Sequence, residues 1–292
     1  MKFGITIPNY GKFADRESIL EISLAAEELG FDSLWTSDHI VLPTNHKGFG
    51  NVFYEPIVTL SYIAQKTKEI KLGTSVIVLP YRNPIAFAKS VATLDVLSDG
   101  RVILGVGSGW LKEEFKALCV KYEERGKITD EYIEILKELY TSESPSFAGN
   151  YHQFSDISFN PKPIQKPYPP IWVGGNSKNA LKRAVKYGSG WHVVGLTPEE
   201  IVEETKDLKE LLLENNKTKN NFIVSVRKNI QITKREIKDA AELLRGDIVK
   251  ISEGIEGYKN AGVNYIVFQV LSSDINGVTD TMKIMSQHCK LL

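Results

Sequence analysis

The sequence is poor in cysteine, has no excess charge of either sign and contains no long apolar run. Two cysteines, Cys119 and Cys289, stand far apart among 292 residues, which argues against a disulfide framework or a zinc site and predicts two buried thiols. Lys and Arg number 36 and so do Asp and Glu, so nucleic-acid binding is disfavoured. No segment approaches the ~20 apolar residues of a membrane span.

Motifs of several enzyme classes are also missing. The chain has no H-E-x-x-H sequence, no His and carboxylate pair at metal-ligand spacing and no G-x-S-x-G elbow, so metallohydrolase and serine hydrolase chemistry lack their residues and no metal is expected. The first strand-like run begins at Lys2, which leaves no room ahead of it for a signal peptide. We therefore expect a cytoplasmic protein without a membrane partner.

Short β-branched runs alternate with helical patterns along the whole chain, which is typical of repeated βαβ units. The eight predicted strands are Lys2–Pro8, Ser33–Ser37, Lys71–Leu79, Arg101–Gly107, Pro170–Gly174, Gly190–Gly195, Asn221–Ile232 and Asn264–Val270. Eight strand–helix pairs in a chain somewhat above the ~250 residues usual for the architecture predict a (β/α)8 TIM barrel. A doubly wound sheet is the alternative, and residues 1–292 are expected to form a single domain.

Three local patterns mark where the predicted helices and loops begin and end. Gly30 follows an apolar stripe at helical spacing and predicts a helix end. Thr197, Pro198 and Glu200 form the pattern of a capped helix start. The segment between strands four and five, Thr141–Pro169, is about twice the usual length and carries five prolines. We interpret it as an excursion made of a hairpin and an extended return.

Residues that follow the strands of such a barrel are the candidates for chemistry. Gly174–Ser177 leads from a strand straight into a helix, and Gly107–Gly109 follows strand four. Glycine-rich turns at helix starts present free amides to an anion, so a phosphate site is favoured over an ordinary loop. The dinucleotide motif G-x-G-x-x-G fails, because Trp110 stands at its last position.

His39 is the candidate for proton transfer, since an imidazole at the mouth of strand two titrates near neutral pH. A loop histidine bonded to its neighbours is an equally weighted alternative. Asp38 is a candidate to orient the ring, although adjacent residues on extended chain point in opposite directions and Asp38 could serve another partner. Aromatic residues near the mouth could line a pocket for a flat ring, but core packing is the commoner role for such residues.

Several motifs together resemble the bacterial luciferase-like flavin barrels, and within them the branch that uses the deazaflavin coenzyme F420. They are Ser37–Pro43, Leu72–Val76, Gly105–Leu111 with Glu114 and Phe115, Glu124–Gly126, Asp130–Tyr132, Pro161–Pro163 and Pro170–Ser177. The likeness covers Met1 to about Gly195 strongly and the remainder in outline.

The resemblance implies a cofactor site at the barrel mouth. Its characteristic feature is a non-proline cis peptide, which falls here at Ser75–Val76. The implied cofactor-binding residues are Asn9, Thr74, Ser75, Val76, Gly107, Ser108, Gly109, Gly174, Gly175, Asn176, Ser177 and Gly195. The implied catalytic residues are His39, Asp38 and Trp110. Family members that oxidise sugar phosphates carry an acid where this chain has Trp110, which places that substrate class in doubt.

The resemblance leaves the cofactor open between F420 and FMN. With F420 the expected reaction is hydride transfer to or from a small organic substrate; with FMN it is an O₂-dependent monooxygenation served by a separate reductase. A non-catalytic flavin-binding barrel is the alternative from another class. A homodimer is expected, and the substrate pocket is expected to be shaped by His46–Tyr54, Thr141–Pro169 and Thr233–Asp247.

Overall fold

The computed structural model describes residues 1–44, 46, 48–50, 52–233 and 243–289, without the side chain of residue 289. The strands are β1 (Lys2–Thr6), β2 (Ser33–Thr36), β3 (Lys71–Thr74), β4 (Ile77–Val78), β5 (Val102–Gly107), β6 (Phe147–Ala148), β7 (Gln153–Phe154), β8 (Ile171–Gly174), β9 (Gly190–Val194), β10 (Ile223–Ile232), β11 (Leu243–Gly246) and β12 (Tyr265–Val270). The α-helices are α1 (Arg16–Glu28), α2 (Pro56–Ala64), α3 (Pro84–Leu97), α4 (Lys112–Ala117), α5 (Arg125–Thr141), α6 (Lys178–Tyr187), α7 (Pro198–Glu204), α8 (Leu208–Glu214), α9 (Ile248–Asn260) and α10 (Ile275–Cys289).

Eight of these strands close into a parallel barrel, as predicted. Around the ring the order is β1, β2, β3, β5, β8, β9, β10 and β12, and β12 pairs with β1 to close it. The closed ring excludes the doubly wound sheet. β11 lies outside the barrel and pairs in parallel with the last four residues of β10. None of the eight predicted strands corresponds to it.

The predicted third strand is divided in two by the bond between Ser75 and Val76, which is cis as expected from the resemblance. β3 pairs with β2 and with the beginning of β5, whereas β4 pairs with the end of β5. The two residues between the strands form a bulge at the carboxyl end of the barrel.

Two stacked indoles fill the barrel axis. Trp35 and Trp172 lie 5.3 Å apart between ring centroids, and both are buried. The strands beside them make room through glycine: a Cβ on Gly4 or Gly73 would lie 2.5 Å from an atom of the Trp35 ring, which is closer than side chains approach one another. Most other apolar side chains pack between strands and helices in the surrounding layer.

The predicted helix limits agree with the structure. Gly30 follows α1 at a φ of 80°, a conformation that glycine adopts without strain. The side chain of Thr197 accepts from the amide of Glu200, whose carboxylate accepts from the amide of Thr197. This reciprocal pair is the capping box that the sequence predicts for the start of α7.

The excursion between β5 and β8 contains the predicted hairpin, formed by β6 and β7 in antiparallel register. The buried carboxylate of Glu131 on α5 accepts from the amides of Asn150, Tyr151 and His152. It thereby holds the hairpin turn against the barrel.

The prediction of two buried thiols is wrong for Cys119, which is exposed. Cys119 follows the end of α4 with a φ of 57°, and in that terminal position its side chain points away from the core. The Cys289 side chain lies outside the described residues. No helix in the described part of the chain is both long and apolar enough to cross a membrane.

Candidate active site

A cavity of about 760 Å³ opens at the carboxyl ends of the barrel strands, where chemistry was expected. Segments at or after all eight barrel strands contribute to its wall. Its lining residues include Tyr10, Asp38, His39, Phe49, Phe53, Ser75, Val76, Tyr81, Gly107, Trp110, Gly174, His192, Arg227, Asn229 and Gln269. The cavity is therefore lined by side chains from the segment after the first strand and from the last strand of the barrel.

One wall is built of glycine turns around the bulge. A Cβ on Gly107 would lie 2.7 Å from a methyl carbon of Val76, and one on Gly174 would lie 2.8 Å from the other. Only glycine at these two positions lets the Val76 side chain sit between β5 and β8. The bulge and the two turns thus form a continuous, mostly main-chain surface.

The turn after β8 leads directly into α6. Ser177 caps this helix by accepting from the Ala180 amide at 3.2 Å, and the side chain of Asn176 bonds both backbone groups of Val194. In the described structure no protein acceptor is recorded for the main-chain amides of residues 176–179. Four amides at a helix start suit an anion such as a phosphate.

His39 lies in the opposite part of the cavity and is held by a carboxylate that the sequence analysis did not assign. Its Nδ1 lies 2.7 Å from Oε2 of Glu114 on α4. The other oxygen of Glu114 accepts from the amides of Ile40 and Val41 at 2.6 and 3.1 Å. With Nδ1 bound, Nε2 is the ring atom left to exchange a proton.

The electrostatics of this pair favour an ionised carboxylate. Burial opposes the charge on Glu114, but the hydrogen bonds from His39 and from the Ile40 amide hold the pKa of the carboxyl below its usual value of 4.5. Burial and the nearby Glu114 charge raise the pKa of Tyr81, so its phenol stays protonated. Glu114 therefore fixes the orientation of the imidazole through its hydrogen bond to Nδ1.

Asp38 serves a different partner from His39, which was one of the two predicted alternatives. Its carboxylate receives two hydrogen bonds from Arg82, at 2.6 and 2.7 Å, and one from the Val78 amide at 2.8 Å. The side chain of Asp38 is fully buried. The ion pair joins the end of β2 to the segment after β4 and does not orient the imidazole.

Aromatic rings surround His39 on the open side of the cavity. The rings of Phe49, Phe53 and Trp110 lie 5.1, 5.3 and 5.9 Å from the imidazole centroid. Tyr10 stacks on Phe53 at 4.9 Å with nearly parallel planes. Trp110 is 56% exposed and forms the rim. A flat apolar ligand fits a slot with these walls.

At the bottom of the cavity lies His192, fully buried on β9. Its Nε2 is 2.8 Å from the Ser75 hydroxyl and its Nδ1 is 2.9 Å from the Ser225 hydroxyl, while the ring stacks on Trp35. Burial and the nearby Arg227 charge lower its pKa to about 3, so the ring is neutral. His192 is a structural link between β3 and β10.

Comparison with known proteins identifies the family. A family model described as luciferase-like monooxygenase matches residues 1–264. The chain belongs to the luciferase-like monooxygenase family. Among curated relatives of this family, an F420-dependent glucose-6-phosphate dehydrogenase of Amycolatopsis mediterranei is 34% identical over 62% of this chain and 54% of its own length.

Other relatives in the family carry a different cofactor in their names. An FMNH(2)-dependent dimethylsulfone monooxygenase of Pseudomonas putida is 28% identical over 74% of this chain and 60% of its own length. This luciferase-like chain therefore spans little more than half the length of the curated relatives it matches.

Solved structures share the barrel at low identity. The monooxygenase RslO1 of Streptomyces bottropensis superposes with a TM-score of 0.88 over 100% of this chain and 99% of its own, at 22% identity. An F420-dependent secondary alcohol dehydrogenase in complex with an F420-acetone adduct gives a TM-score of 0.85 over 98% and 97%, at 20% identity. At these identities the likeness concerns the fold alone.

The predicted cofactor residues of this luciferase-like chain divide into two groups by position. Those that line the cavity are Ser75, Val76, Gly107, Ser108, Gly109, Gly174, Gly175, Asn176 and Gly195. Asn9, Thr74 and Ser177 are not among the lining residues: Asn9 and Thr74 are buried behind the wall, and Ser177 is exposed at the start of α6. The Asn9 amide bonds main-chain groups of Ser37 and Tyr54, and the Thr74 hydroxyl donates to the Gly105 carbonyl.

The loops expected to shape the substrate pocket also differ in position. Phe49 and Phe53, from the loop after β2, line the cavity. The Thr141–Pro169 excursion contributes no lining residue among those described, because its hairpin packs against α5. The loop Thr233–Asp247 lies for the most part outside the described residues.

Arg227 and Gln269 are cavity residues that the sequence analysis missed. Both belong to predicted strands, β10 and β12, where only the residues after each strand were considered as candidates. A pattern was available: Ser225, Arg227 and Asn229 are polar residues at a spacing of two along β10, which places them on one face of the strand.

Proposed function

We propose that this protein is an oxidoreductase that transfers hydride between coenzyme F420 and a small organic substrate. The observation that carries the proposal is His39, held by Glu114, in a cavity whose other wall is made of glycine turns. The F420 dependence named for the Amycolatopsis mediterranei relative supports this choice of cofactor.

The residues present fit a phosphorylated ring cofactor. A Cβ at Gly107 or Gly174 would displace Val76 from the cavity wall, and in the described structure the amides at the start of α6 bond no protein acceptor. We propose that these amides and the Gly174–Ser177 turn hold the phosphate, and that the Ser75–Val76 bulge supports the ring. When bound, the deazaflavin supplies or accepts a hydride but does not activate O₂, because carbon replaces the reactive ring nitrogen.

The protein's own part in the reaction is to hold the substrate and move a proton. Glu114 fixes Nδ1 of His39, so Nε2 can take a proton from an alcohol as hydride leaves it, or give one to the substrate after hydride has added to an activated double bond. Phe49, Phe53 and Trp110 surround the imidazole and exclude water from it. Asp38 positions the end of β2 through Arg82, and we assign it no contact with the substrate.

Replacement of His39 tests this role. In His39→Ala, turnover falls by roughly 10²-fold, the usual contribution of one general acid or base. Cofactor affinity, measured by fluorescence quenching, stays near that of the wild type because the glycine turns are untouched. His152→Ala, outside the cavity, is the matched control. Unchanged turnover in His39→Ala would remove the imidazole from the mechanism.

An FMN-dependent monooxygenase is the second candidate, because the dimethylsulfone monooxygenase of Pseudomonas putida aligns over more of this chain than the F420-dependent relative does. This function needs reduced flavin from a separate reductase. Anaerobic titration of the apoprotein with F420 and with FMN separates the two. We expect tighter F420 binding; preference for FMN, with O₂ consumption after reduction, would reverse the assignment.

Addition of electron acceptors to the reduced complex at the end of the same titration identifies a non-catalytic barrel. Such a protein would bind reduced cofactor and never reoxidise it with a carbonyl, an activated alkene or O₂.

We also propose a homodimer, formed through the helices that follow the second and third strands, α2 and α3.

A further inference from the structure

Side chains from β10, from β12 and from the segment after β1 form a ring of hydrogen bonds in the cavity wall. Arg227 Nη2 donates to the Tyr10 hydroxyl oxygen at 2.8 Å and to Gln269 Oε1 at 2.5 Å. Gln269 Nε2 donates to the same Tyr10 oxygen, also at 2.8 Å. None of the three has a role in the mechanism proposed above.

The direction of each hydrogen bond in the ring follows from the chemistry of Arg227. A guanidinium only donates, so the Gln269 atom that faces it must be the amide oxygen. The amide nitrogen of Gln269 then faces Tyr10 and donates to it. Both donors therefore end on one phenol oxygen.

This arrangement leaves the Tyr10 proton for a ligand. The oxygen already accepts two hydrogen bonds, so the remaining capacity of the hydroxyl is to donate its own hydrogen. Within the described ranges no acceptor for that hydrogen is recorded. Two donors on the oxygen, one of them charged, also strengthen the O–H as a donor.

Arg227 gives this part of the cavity a positive charge. Its recorded acceptors are all neutral: the Ser37 hydroxyl, the Ser75 carbonyl, the Tyr10 oxygen and the Gln269 amide. In the described structure it forms no ion pair with a carboxylate. A partly buried cation beside a free O–H suits an oxygen that carries negative charge.

The neighbouring rings define the shape of the ligand. Phe53 stacks on Tyr10 at 4.9 Å and Phe49 meets it edge-on at 5.6 Å. The same two phenylalanines contact His39. Tyr10 and His39 therefore border one aromatic slot.

We propose that Tyr10, held by Arg227 and Gln269, is a substrate-binding residue whose hydroxyl donates a hydrogen bond to the carbonyl or phenol-type oxygen of a flat conjugated substrate. The substrate class deepens the proposed function and rests on it. The binding site itself is a property of the apoprotein and can be measured without any cofactor.

The test uses 4-nitrophenol, a flat phenol whose anion absorbs in the visible. Titration of the apoprotein at a pH where the free phenol is mostly neutral should raise the anion band, because the site binds the ionised oxygen. Tyr10→Phe keeps the ring and the Arg227 charge but lacks the O–H, so we expect binding at least about tenfold weaker, ~1.4 kcal/mol. Tyr62→Phe on α2, outside the cavity, is the matched control.

A second variant tests the direction of the hydrogen bond. In Gln269→Glu the donor to Tyr10 becomes an acceptor, which draws the phenol hydrogen away from the cavity, and the new carboxylate cancels the Arg227 charge. Both changes predict that anion binding is lost although Tyr10 remains. This variant carries the test if Tyr10→Phe fails to fold, which thermal melting will show. A Tyr10→Phe protein that melts like the wild type and binds 4-nitrophenolate equally well would overturn the proposal.

These experiments distinguish failure of the Tyr10 site from failure of the proposed hydride transfer. Anion binding that depends on Tyr10, in a protein without hydride transfer, supports this site and rejects F420 chemistry. Hydride transfer that depends on His39, without anion binding, supports the chemistry and rejects the role of Tyr10.

Discussion

At the residue scale, the buried imidazole of His192 makes the stability of the barrel depend on pH. Its pKa is lowered from 6.5 to about 3, so between these values the unfolded chain binds a proton that the folded chain does not. Stability therefore falls as the pH falls through this window, by roughly 1.4 kcal/mol per pH unit from this group, and is regained above 6.5.

Replacement of His192 should flatten that dependence. His192→Gln loses hydrogen bonds to Ser75 and Ser225, so it is less stable than the wild type at neutral pH. Its free energy of unfolding should nevertheless fall less steeply between pH 6.5 and 3. Urea denaturation at several pH values measures both slopes, and equal slopes would contradict a neutral His192.

Glu114 makes a separate prediction about activity and acid stability. Glu114→Gln weakens the hold on His39, so kcat should fall by roughly 10²-fold, with a smaller change in KM. The pKa of Glu114 in the folded protein is lowered from 4.5. The ionised carboxylate therefore stabilises the fold above pH 4.5, and this stabilisation is lost as the pH falls through the folded pKa. In Glu114→Gln the free energy of unfolding should not show this acid-dependent decrease.

Glu113→Gln is the matched control for this experiment, because Glu113 is exposed and adjacent in sequence. Steady-state kinetics and acid denaturation compare the two variants. Equal kcat values in both would show that Glu114 does not position the imidazole.

The residues found from the sequence are those that belong to local motifs. His39 and the glycine turns follow strands directly, so their place at the cavity follows from the fold. Arg227 could have been found from its spacing of two with Asn229. Glu114 reaches His39 only through packing of α4 against the segment after β2, and no local spacing specifies that contact. The ion pair of Asp38 with Arg82 depends in the same way on the approach of two distant segments.

At the element scale, the glycine turns make room for the bulge between β3 and β4. In Gly107→Ala the new Cβ would lie 2.7 Å from Val76, so the bulge must shift. We expect a loss of about 1–3 kcal/mol in stability and weaker cofactor binding, measured by denaturation and fluorescence titration.

Gly257→Ala on α9 is the control for this change. A Cβ there meets its nearest neighbour, Pro198, at 3.5 Å, and alanine favours a helix over glycine by about 1 kcal/mol. Stability should therefore be equal to the wild type or higher, with cofactor binding unchanged. Equal cofactor binding by both alanine variants would show that the Gly107 turn is not part of the site.

Strand and helix positions could be predicted because most barrel strands are nearly continuous apolar runs with turn residues beside them. The division of the third strand followed from the resemblance and not from the apolar pattern. β11 was missed because it lies outside the barrel, within the segment Thr233–Asp247 that was interpreted as a loop.

At the scale of the whole molecule, the proposed homodimer is tested through α2. Val58 on this helix is 69% exposed, and a charge there would oppose burial against a second copy. Val58→Glu should therefore sediment as a monomer. Val249→Glu on α9, at a position 64% exposed, is the control and should remain dimeric. A monomeric wild type would reject the dimer.

The indoles of Trp35 and Trp172 stack beneath His192, which lies at the bottom of the cavity. Because these two rings fill the barrel interior below the mouth, we expect a small molecule to enter and to leave the cavity only at its open end.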